Sequence, residues 1–256
     1  MLPPQRKFQI MIPPGLQYID LETIISSDRL ERYRTYCSQN DRQALELYRL
    51  NEDLSMGFMP ILSFFEIAFR NKIDGHYMKL TRDPEWLVHC AKPGGFLDQP
   101  DSFVTQQSII QTHGKLKSEY THSKLVAGLT FGVWRYFFNT TQFAAAGHTL
   151  HQIFSKFTLP LINQHHSTSQ FWPELEAAQL LFDLLFKVNE LRNRIAHHEP
   201  ICFDKKAMRP SPKYAQERLN LILLLLNKLD IPTKWIDLRV SELQLLLTNM
   251  TKTHTP

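Results

Sequence analysis

The sequence predicts an all-α fold, and two observations carry that prediction. Apolar residues recur every three or four positions along several stretches, most regularly at Leu180, Leu181, Leu184, Leu185, Val188, Leu191 and Ile195. No segment shows a convincing set of paired β-strands or an internal repeat. With 256 residues, of which 43% are hydrophobic, the chain is long enough to bury a substantial core. We therefore expect one helical domain over residues 20–256, preceded by a lead-in over residues 1–19.

The start of the chain reads as extended backbone followed by short helices. Proline pairs at positions 3–4 and 13–14 predict the extended lead-in. A first helix is expected near residues 20–25. Ser27 is then expected to act as the N-cap of a second helix, whose buried residues are Leu30, Tyr33 and Tyr36.

A longer helical region follows. Asp41 is expected to cap a helix that buries Ala44, Leu45, Tyr48 and Leu54. Pro60 lacks an amide hydrogen and therefore predicts a kink or a break. Gly75 is expected to end or loosen the next helix, which is strongly apolar at Ile61, Leu62, Phe64, Phe65, Ala68, Phe69 and Ile73.

The middle of the chain is predicted to alternate loops and helices. Residues 92–100, rich in proline and glycine, predict a loop, and a helix start is expected at residues 83–86. Residues 106–120 predict a polar helix. Residues 125–138 are aromatic-rich and predict a core helix, although their composition also suits a strand.

The most regular apolar helix is expected to open at Ser169 or Trp172, with Pro173 near its first position. Pro200 lacks an amide hydrogen and restricts the residue before it, so the helix must end there, with His197 and His198 in its last turn. Two further helices are expected, over residues 211–230 and 241–247.

Cationic and imidazole side chains gather at the end of that helix. Arg192 supplies a fixed fork of N–H donors that suits phosphate oxygens. Histidine, here His197 and His198, can both accept and donate a proton near neutral pH. Arginine and histidine without clustered carboxylates suit phosphodiester cleavage that needs no metal. The bare spacing of the two residue types proves little, because it also occurs at Arg70 to His76 and at Arg82 to His89.

The longer string over residues 190–201, Glu-Leu-Arg-Asn-Arg-Ile-Ala-His-His-Glu-Pro-Ile, is more informative. It resembles the Abi-like (abortive infection, AbiD/AbiF type) branch of the HEPN superfamily, whose hallmark Arg-Asn-x-x-x-His is matched by Arg192, Asn193 and His197. Segments 27–30, 47–51, 65–71 and 129–134 also resemble that branch, in the same order. The resemblance covers about residues 25 to 230 and implies an HEPN-like helical bundle with additional helices.

The resemblance implies a metal-independent endoribonuclease, or a ribonuclease-like toxin, of a bacterial phage-defence system (abortive infection or toxin–antitoxin). Arg192 would hold the scissile phosphate, and Asn193 would orient a phosphate oxygen or His197. His197 would act as the general acid or base, assisted by His198. The implied partners are RNA, as substrate or regulatory small RNA, an antitoxin, and a second copy of the chain in a homodimer. No cofactor is implied.

A second Arg-Asn pair, Arg70 and Asn71, lies one turn after Glu66. One interpretation is an i,i+4 ion pair between Glu66 and Arg70 on a half-exposed face, worth about 0.2–0.5 kcal/mol. The other is that these three residues face the Arg192 helix and form a polar wall of one site, which the family resemblance favours. The ion-pair interpretation also applies to Glu190 and Arg194.

Two other classes of function stay open. In the first, the chain is an RNA-binding or RNA-regulated module whose residues hold phosphate without cutting it. In the second, it is a structural helical scaffold in which Arg192 and Arg194 form ion pairs and the histidines cap the helix. The acidic partners would then be Glu190, Glu199 and the helix that carries Glu66.

Composition places broad limits on these functions. A net charge of +4 and a pI near 8.9 permit an anionic partner without requiring one. The 3 cysteines do not suggest a disulfide framework, which indicates a reducing cytoplasm. No signal peptide is expected, because the first residues lack an apolar core. No membrane span is expected, because the most apolar run, residues 219–229, is too short to cross a bilayer. No metal site is expected either, because His165 and His166 lack nearby carboxylates or cysteines at ligand spacing.

Overall fold

The computed structural model describes residues 17–154, 173–204 and 209–253, and within them the fold is all-α, as predicted. Short 3₁₀ turns connect several of the helices. The α-helices are α1 (Tyr18–Ile25), α2 (Ser27–Tyr36), α3 (Asp41–Thr81), α4 (Trp86–Ala91), α5 (Phe103–Leu116), α6 (His122–Gly128), α7 (Phe131–Tyr136), α8 (Thr140–Ala145), α9 (Pro173–Ala196), α10 (Lys213–Lys228) and α11 (Asp237–Thr253).

One pair of short strands interrupts the helical pattern. β1 (Phe203–Asp204) and β2 (Arg209–Pro210) pair in antiparallel fashion, with Phe203 opposite Pro210. The sequence did not predict these strands, because two residues are too few to show an alternating pattern. The predicted helix start at Ser169 or Trp172, most of the predicted lead-in, and His165 and His166 lie outside the described residues.

The chain forms two compact units, each built from separate segments. Unit 1 comprises residues 1–61, 193–219 and 236–256, and unit 2 comprises residues 62–192 and 220–235. Three of the four boundaries fall within α3, α9 and α10, and the fourth lies just before α11. The extent of the domain predicted for residues 20–256 stays a prediction.

The first helices of unit 1 begin close to the predicted positions, but their caps differ. Ser27 is the first residue of α2 and not its N-cap, and Ser26 before it has a left-handed φ of 96°. The side chain of Asn40 caps α3 instead of Asp41, since its Oδ1 accepts a hydrogen bond from the amide of Gln43 at 3.0 Å. Asn and Asp serve equally well at this position, so the sequence alone did not separate them.

The helix α3 runs without a break through both predicted interruptions. Pro60 lies inside the 41-residue helix, and Gly75 does not end it. Proline removes the hydrogen bond to the carbonyl four residues earlier, that of Met56. Both Pro60 and Met56 are exposed, so water can satisfy that carbonyl. Gly75 has open space around the position of an added Cβ, so it marks an exposed helical position.

An aromatic core organises unit 2. The rings of Phe65 and Phe69 stack with centroids 5.7 Å apart, and Phe131 packs against both. The region predicted as one core helix over residues 125–138 is divided into α6 and α7. An added Cβ at Gly128 would lie 2.8 Å from Thr112 Cγ2, so the close approach of α5 at the end of α6 requires glycine there.

Five of the seven residues predicted for the apolar face of α9 are buried, and Leu180 and Leu184 are half-buried. Leu181, Leu185, Val188, Leu191 and Ile195 are all at most 5% exposed. Pro173 is its first residue, where a missing amide hydrogen costs no intrahelical bond. None of the helices in the described part of the chain is long and apolar enough to cross a bilayer.

Candidate functional site: the C-terminal end of helix α9

A Schellman motif ends α9. The two bonds that define it run from the amide of Glu199 to the carbonyl of Arg194 and from the amide of His198 to the carbonyl of Ile195, at 2.7 and 3.0 Å. One residue of the motif takes the left-handed conformation, and here it is His198, with φ of 54°. The helix therefore ends at Ala196, and the two histidines form its cap instead of its last turn.

The chain after the cap turns back into the core of unit 1. Pro200, Ile201, Cys202 and Phe203 are all buried. The amide of Ile201 donates a hydrogen bond to Oδ1 of Asn51, with a nitrogen–oxygen distance of 2.7 Å. Asn51 is itself only 4% exposed. A buried polar side chain thus pairs with a buried amide that no helix satisfies.

The Arg-Asn-x-x-x-His string presents some side chains to solvent and not others. Asn193 and His197 are exposed, and the amide of His197 donates to the carbonyl of Asn193 at 2.9 Å. In the part of α9 that belongs to unit 2, Arg192 and Glu190 are half-buried. His198 is exposed as well. The proposed acid or base is therefore accessible to a large substrate.

The buried arginine at this end of α9 is Arg194. It is 8% exposed, and its Nε lies 3.3 Å from Glu199 Oε2. Its guanidinium carbon lies 4.9 Å from the centroid of the Tyr214 ring. Burial lowers the pKa of Arg194, but Tyr214 and Glu199 outweigh this effect and raise it overall. The side chain is thus a permanently charged group held in unit 1, and its ion pair is one that the scaffold interpretation expects.

The same ring contacts a second guanidinium. The guanidinium carbon of Arg218 lies 4.5 Å from the Tyr214 centroid. Cation–π contacts of this kind are worth about 0.5–2 kcal/mol, depending on how far they are removed from water. Tyr214 therefore places two cationic side chains near one aromatic ring.

A cavity opens beside Arg194. Its volume is about 320 Å³, and it is lined by Arg32, Tyr36, Arg194, Pro200 and Phe203, all in unit 1. The rings of Tyr36 and Phe203 stack, with centroids 4.0 Å apart and planes inclined by 13°. Two arginines and an aromatic pair thus line one recess.

The upstream residues of the predicted wall lie on the unit 2 portion of α3. Glu66 and Arg70 are half-buried and Asn71 is exposed. Nη1 of Arg70 donates to the carbonyl of Ala127 at 3.3 Å. Glu66 and Arg70 form no i,i+4 ion pair among the described residues, so the first interpretation is not observed. Their approach to Arg192 stays a prediction.

His76, further along α3, has a partner within unit 2. Its Nε2 lies 3.0 Å from Thr149 Oγ1. Burial lowers the pKa of His76, and the neighbouring His151 lowers it further. The described residues of the chain contain no group of three or more His, Cys, Asp or Glu arranged to hold a metal ion.

The sequence motif did not predict four residues of this region as candidates: Asn51, Arg32, Tyr36 and Phe203. Asn51 had a detectable signal, since it is a polar residue on an otherwise apolar helical face. Arg32 and Tyr36 are four residues apart on α2 and thus share a face. Phe203 lacked any local signal because its role depends on a chain reversal.

The comparisons with known proteins do not extend this description. No family model, no curated protein and no solved structure matches the chain.

Proposed function

We propose that the protein is a metal-independent endoribonuclease of the Abi-like HEPN type, acting in the cytoplasm in bacterial phage defence. The single observation that carries this proposal is the exposed His197 on a helix end whose backbone is fixed by the Schellman motif. A catalytic acid or base must be accessible and yet positioned. His197 meets both requirements.

The roles of the motif residues follow from their chemistry. Arg192 holds the scissile phosphate and stabilises the charge that develops on it. His197 transfers the proton to or from the reacting ribose and leaving oxygens, with His198 beside it. Asn193, exposed one helical turn before His197, orients a phosphate oxygen or the imidazole. Glu190, Arg194, Glu66, Arg70 and Asn71 are supporting residues.

The reaction divides the work between proton transfer and charge stabilisation. The ribose 2′-hydroxyl attacks the adjacent phosphorus, the bond to the 5′-oxygen breaks, and a 2′,3′-cyclic phosphate remains. The hydroxyl loses one proton and the leaving oxygen gains one, so no water or redox partner is consumed. Arginine and histidine supply these steps through hydrogen bonds and proton transfer.

The assembly that we propose is a homodimer, held inactive by an antitoxin or by a small RNA. Its support is the family resemblance, in which a composite site forms where two motif helices meet. A net charge of +4 is compatible with RNA as the partner.

The test of the proposed reaction is an analysis of product ends. Purified protein is incubated with a 5′-labelled RNA in EDTA, and the 5′ fragments are treated with acid and then with phosphatase. A cyclic phosphate resists phosphatase until acid opens it, which is the expected result. Fragments that end in a 3′-hydroxyl would exclude attack by the 2′-hydroxyl and with it the assigned role of His197.

A second candidate is an RNA-binding module without cleavage. The observation that favours it is the pair of arginines, Arg32 and Arg194, that line the cavity of unit 1. Phosphate contacts predict that affinity falls steeply with salt. In that case Arg192→Ala would weaken RNA binding whereas His197→Ala would leave it unchanged, and neither variant would alter the RNA itself.

A further inference from the structure

Three segments of the chain line the cavity of unit 1, and they supply a cationic wall and an aromatic wall. Arg32 and Tyr36 reach it from α2, Arg194 from the end of α9, and Pro200 and Phe203 from the chain that follows. Its volume of about 320 Å³ lies near the lower end of the 300–1,000 Å³ range of small-ligand pockets. A ligand of the size of one nucleotide fits this range, and a folded peptide does not.

The two arginines differ in their surroundings. Arg194 is 8% exposed and contacts Glu199 through Nε, but a guanidinium carries five N–H donors. Arg32 is exposed and forms no ion pair or hydrogen bond with the described residues. Arg194 is thus a cation held in the core, and Arg32 is a cation without an acidic partner among the described residues. Two such groups select an anion with several oxygens.

The C-terminal end of α9 makes anion binding at the cavity depend more strongly on the two arginines. The carbonyl groups at the C-terminus of α9 carry partial negative charge, which disfavours an anion. An anion near Arg194 therefore depends on the two guanidinium groups, and removing one of them has a large effect. A large loss of affinity on replacing one arginine therefore distinguishes a phosphate subsite from a general basic surface, where each residue contributes little to the affinity.

The aromatic wall supplies the other half of the specificity. Tyr36 and Phe203 stack nearly in parallel, and the Tyr33 ring lies 5.2 Å from that of Phe203. Bases stack on aromatic side chains and on arginine with a gain of about 1–3 kcal/mol per base. A ligand with both a phosphate and a flat ring uses both walls.

We propose that this cavity binds one nucleoside monophosphate unit, with the phosphate held by Arg32 and Arg194 and the base against the half-buried ring of Tyr36, which Phe203 supports from behind. The unit comes either from a free nucleotide or from an RNA chain. Binding of a free nucleotide does not require the cleavage reaction, so this inference goes beyond the proposed function and can fail separately from it.

The test is titration calorimetry of the full chain with AMP, adenosine and inorganic phosphate, and of a short RNA bearing 2′-O-methyl groups that block cleavage. The variants are Arg32→Gln and Tyr36→Leu. Arg29→Gln is the matched control, because Arg29 is an exposed arginine on the same helix that does not line the cavity. Circular dichroism of each variant checks that the helices are retained.

AMP should bind at least about tenfold more tightly than adenosine or phosphate, a difference of about 1.4 kcal/mol. Arg32→Gln should weaken AMP binding by about tenfold or more, and Arg29→Gln by less than about twofold. Tyr36→Leu should reduce the affinity for AMP to that for phosphate. If AMP does not bind but Arg32→Gln weakens the RNA complex tenfold, the unit comes from an RNA chain.

Other outcomes overturn the inference. Equal effects of Arg32→Gln and Arg29→Gln on every ligand would leave only general electrostatic attraction. If AMP and phosphate bound with equal affinity, the aromatic residues would contribute nothing to binding. His197→Ala tests the proposed function separately, because it should lower the rate of cleavage of unmodified RNA by about two to four orders of magnitude without changing the affinity for AMP.

Discussion

Oδ1 of Asn51 accepts a hydrogen bond from the amide of Ile201, a residue 150 positions later in the chain. The bond joins α3 to the segment that follows the proposed catalytic histidine, and both groups are buried. Together with the Schellman motif at His198, it fixes the path of the backbone on the C-terminal side of His197. The position of an exposed imidazole thus depends on a buried amide four residues further on.

Replacing Asn51 by Leu should destabilise unit 1. The substitution keeps the side-chain size but leaves the Ile201 amide buried without a partner, which costs about 1–3 kcal/mol. Urea unfolding followed by circular dichroism measures the change. Met56→Ala, at an exposed position of the same helix, is the control and should change the free energy of unfolding by less than about 0.5 kcal/mol. Equal values for the two variants would mean that the amide finds another partner.

Replacing His198 by Gly should stabilise the helix end. A left-handed φ of 54° strains a residue that carries a Cβ, and glycine adopts it without that strain. The gain is offset in part by the greater freedom of glycine in the unfolded chain, so we expect a net increase of about 0.5–1 kcal/mol. Thermal unfolding of His198→Gly and His198→Val tests for effects in opposite directions. Glycine should raise the stability, whereas valine, a β-branched residue, should lower it. A stabilised valine variant would contradict this conformation.

Replacing Pro60 by Ala should also stabilise the chain. The helix α3 continues through Pro60, so alanine restores the missing hydrogen bond to the carbonyl of Met56. Proline in a helix interior costs about 3 kcal/mol relative to alanine. Proline also restricts the unfolded chain, which offsets about 1 kcal/mol of that cost. Urea unfolding should therefore show a gain of about 1–3 kcal/mol. A loss of stability would indicate that the proline is accommodated by a bend that alanine does not favour.

The stability of unit 2 should fall in mild acid. Burial lowers the pKa of His76 and of His151 below the usual 6.5, and His151 also disfavours the charged form of His76. Glu174 offsets only part of this effect at His151. The unfolded state then binds protons more readily than the folded state. The free energy of unfolding therefore decreases as the pH falls from 6.5 to the lowered pKa of the folded protein.

The substitution His151→Gln should make this pH dependence smaller, because it removes one titrating imidazole and one repulsive neighbour. Tryptophan fluorescence is a suitable signal, since Trp86 and Trp134 are buried in unit 2. The comparison is urea unfolding of wild type and His151→Gln at pH 7.5 and 5.5. His113→Gln on α5 serves as the control. If it changed the pH dependence as much as His151→Gln does, the dependence would not arise from the pair His76 and His151.

Periodicity predicted the helices well where one face is buried against the core. The apolar face of α9 and its start at Pro173 follow from the spacing of Leu181, Leu185 and Val188 and from the chemistry of proline. Pro60 was misleading, because its cost in a helix depends on whether water reaches the freed carbonyl. That exposure is a property of the fold and is absent from local sequence.

The sequence predicted only those candidate residues that lie within the motif itself. His197 and Asn193 are adjacent in sequence to the helix end that positions them, so the motif indicated them directly. Asn51 and Phe203 act through contacts with residues far along the chain or with a neighbouring helix, which no local pattern contains. Arg194, treated as a supporting residue, is the buried cation at this position because the helix turns its side chain inward.

The most direct test of the account is the rate of RNA cleavage in EDTA by wild type, Arg192→Ala, His197→Ala and Arg29→Ala, with equal helical content verified by circular dichroism. If the assigned roles hold, the first two substitutions each lower the rate by about two to four orders of magnitude. Arg29→Ala, the surface control, should stay within about twofold of wild type. A His197→Ala variant that cuts as fast as wild type, or a wild type that binds RNA without cutting it, would contradict the ribonuclease assignment.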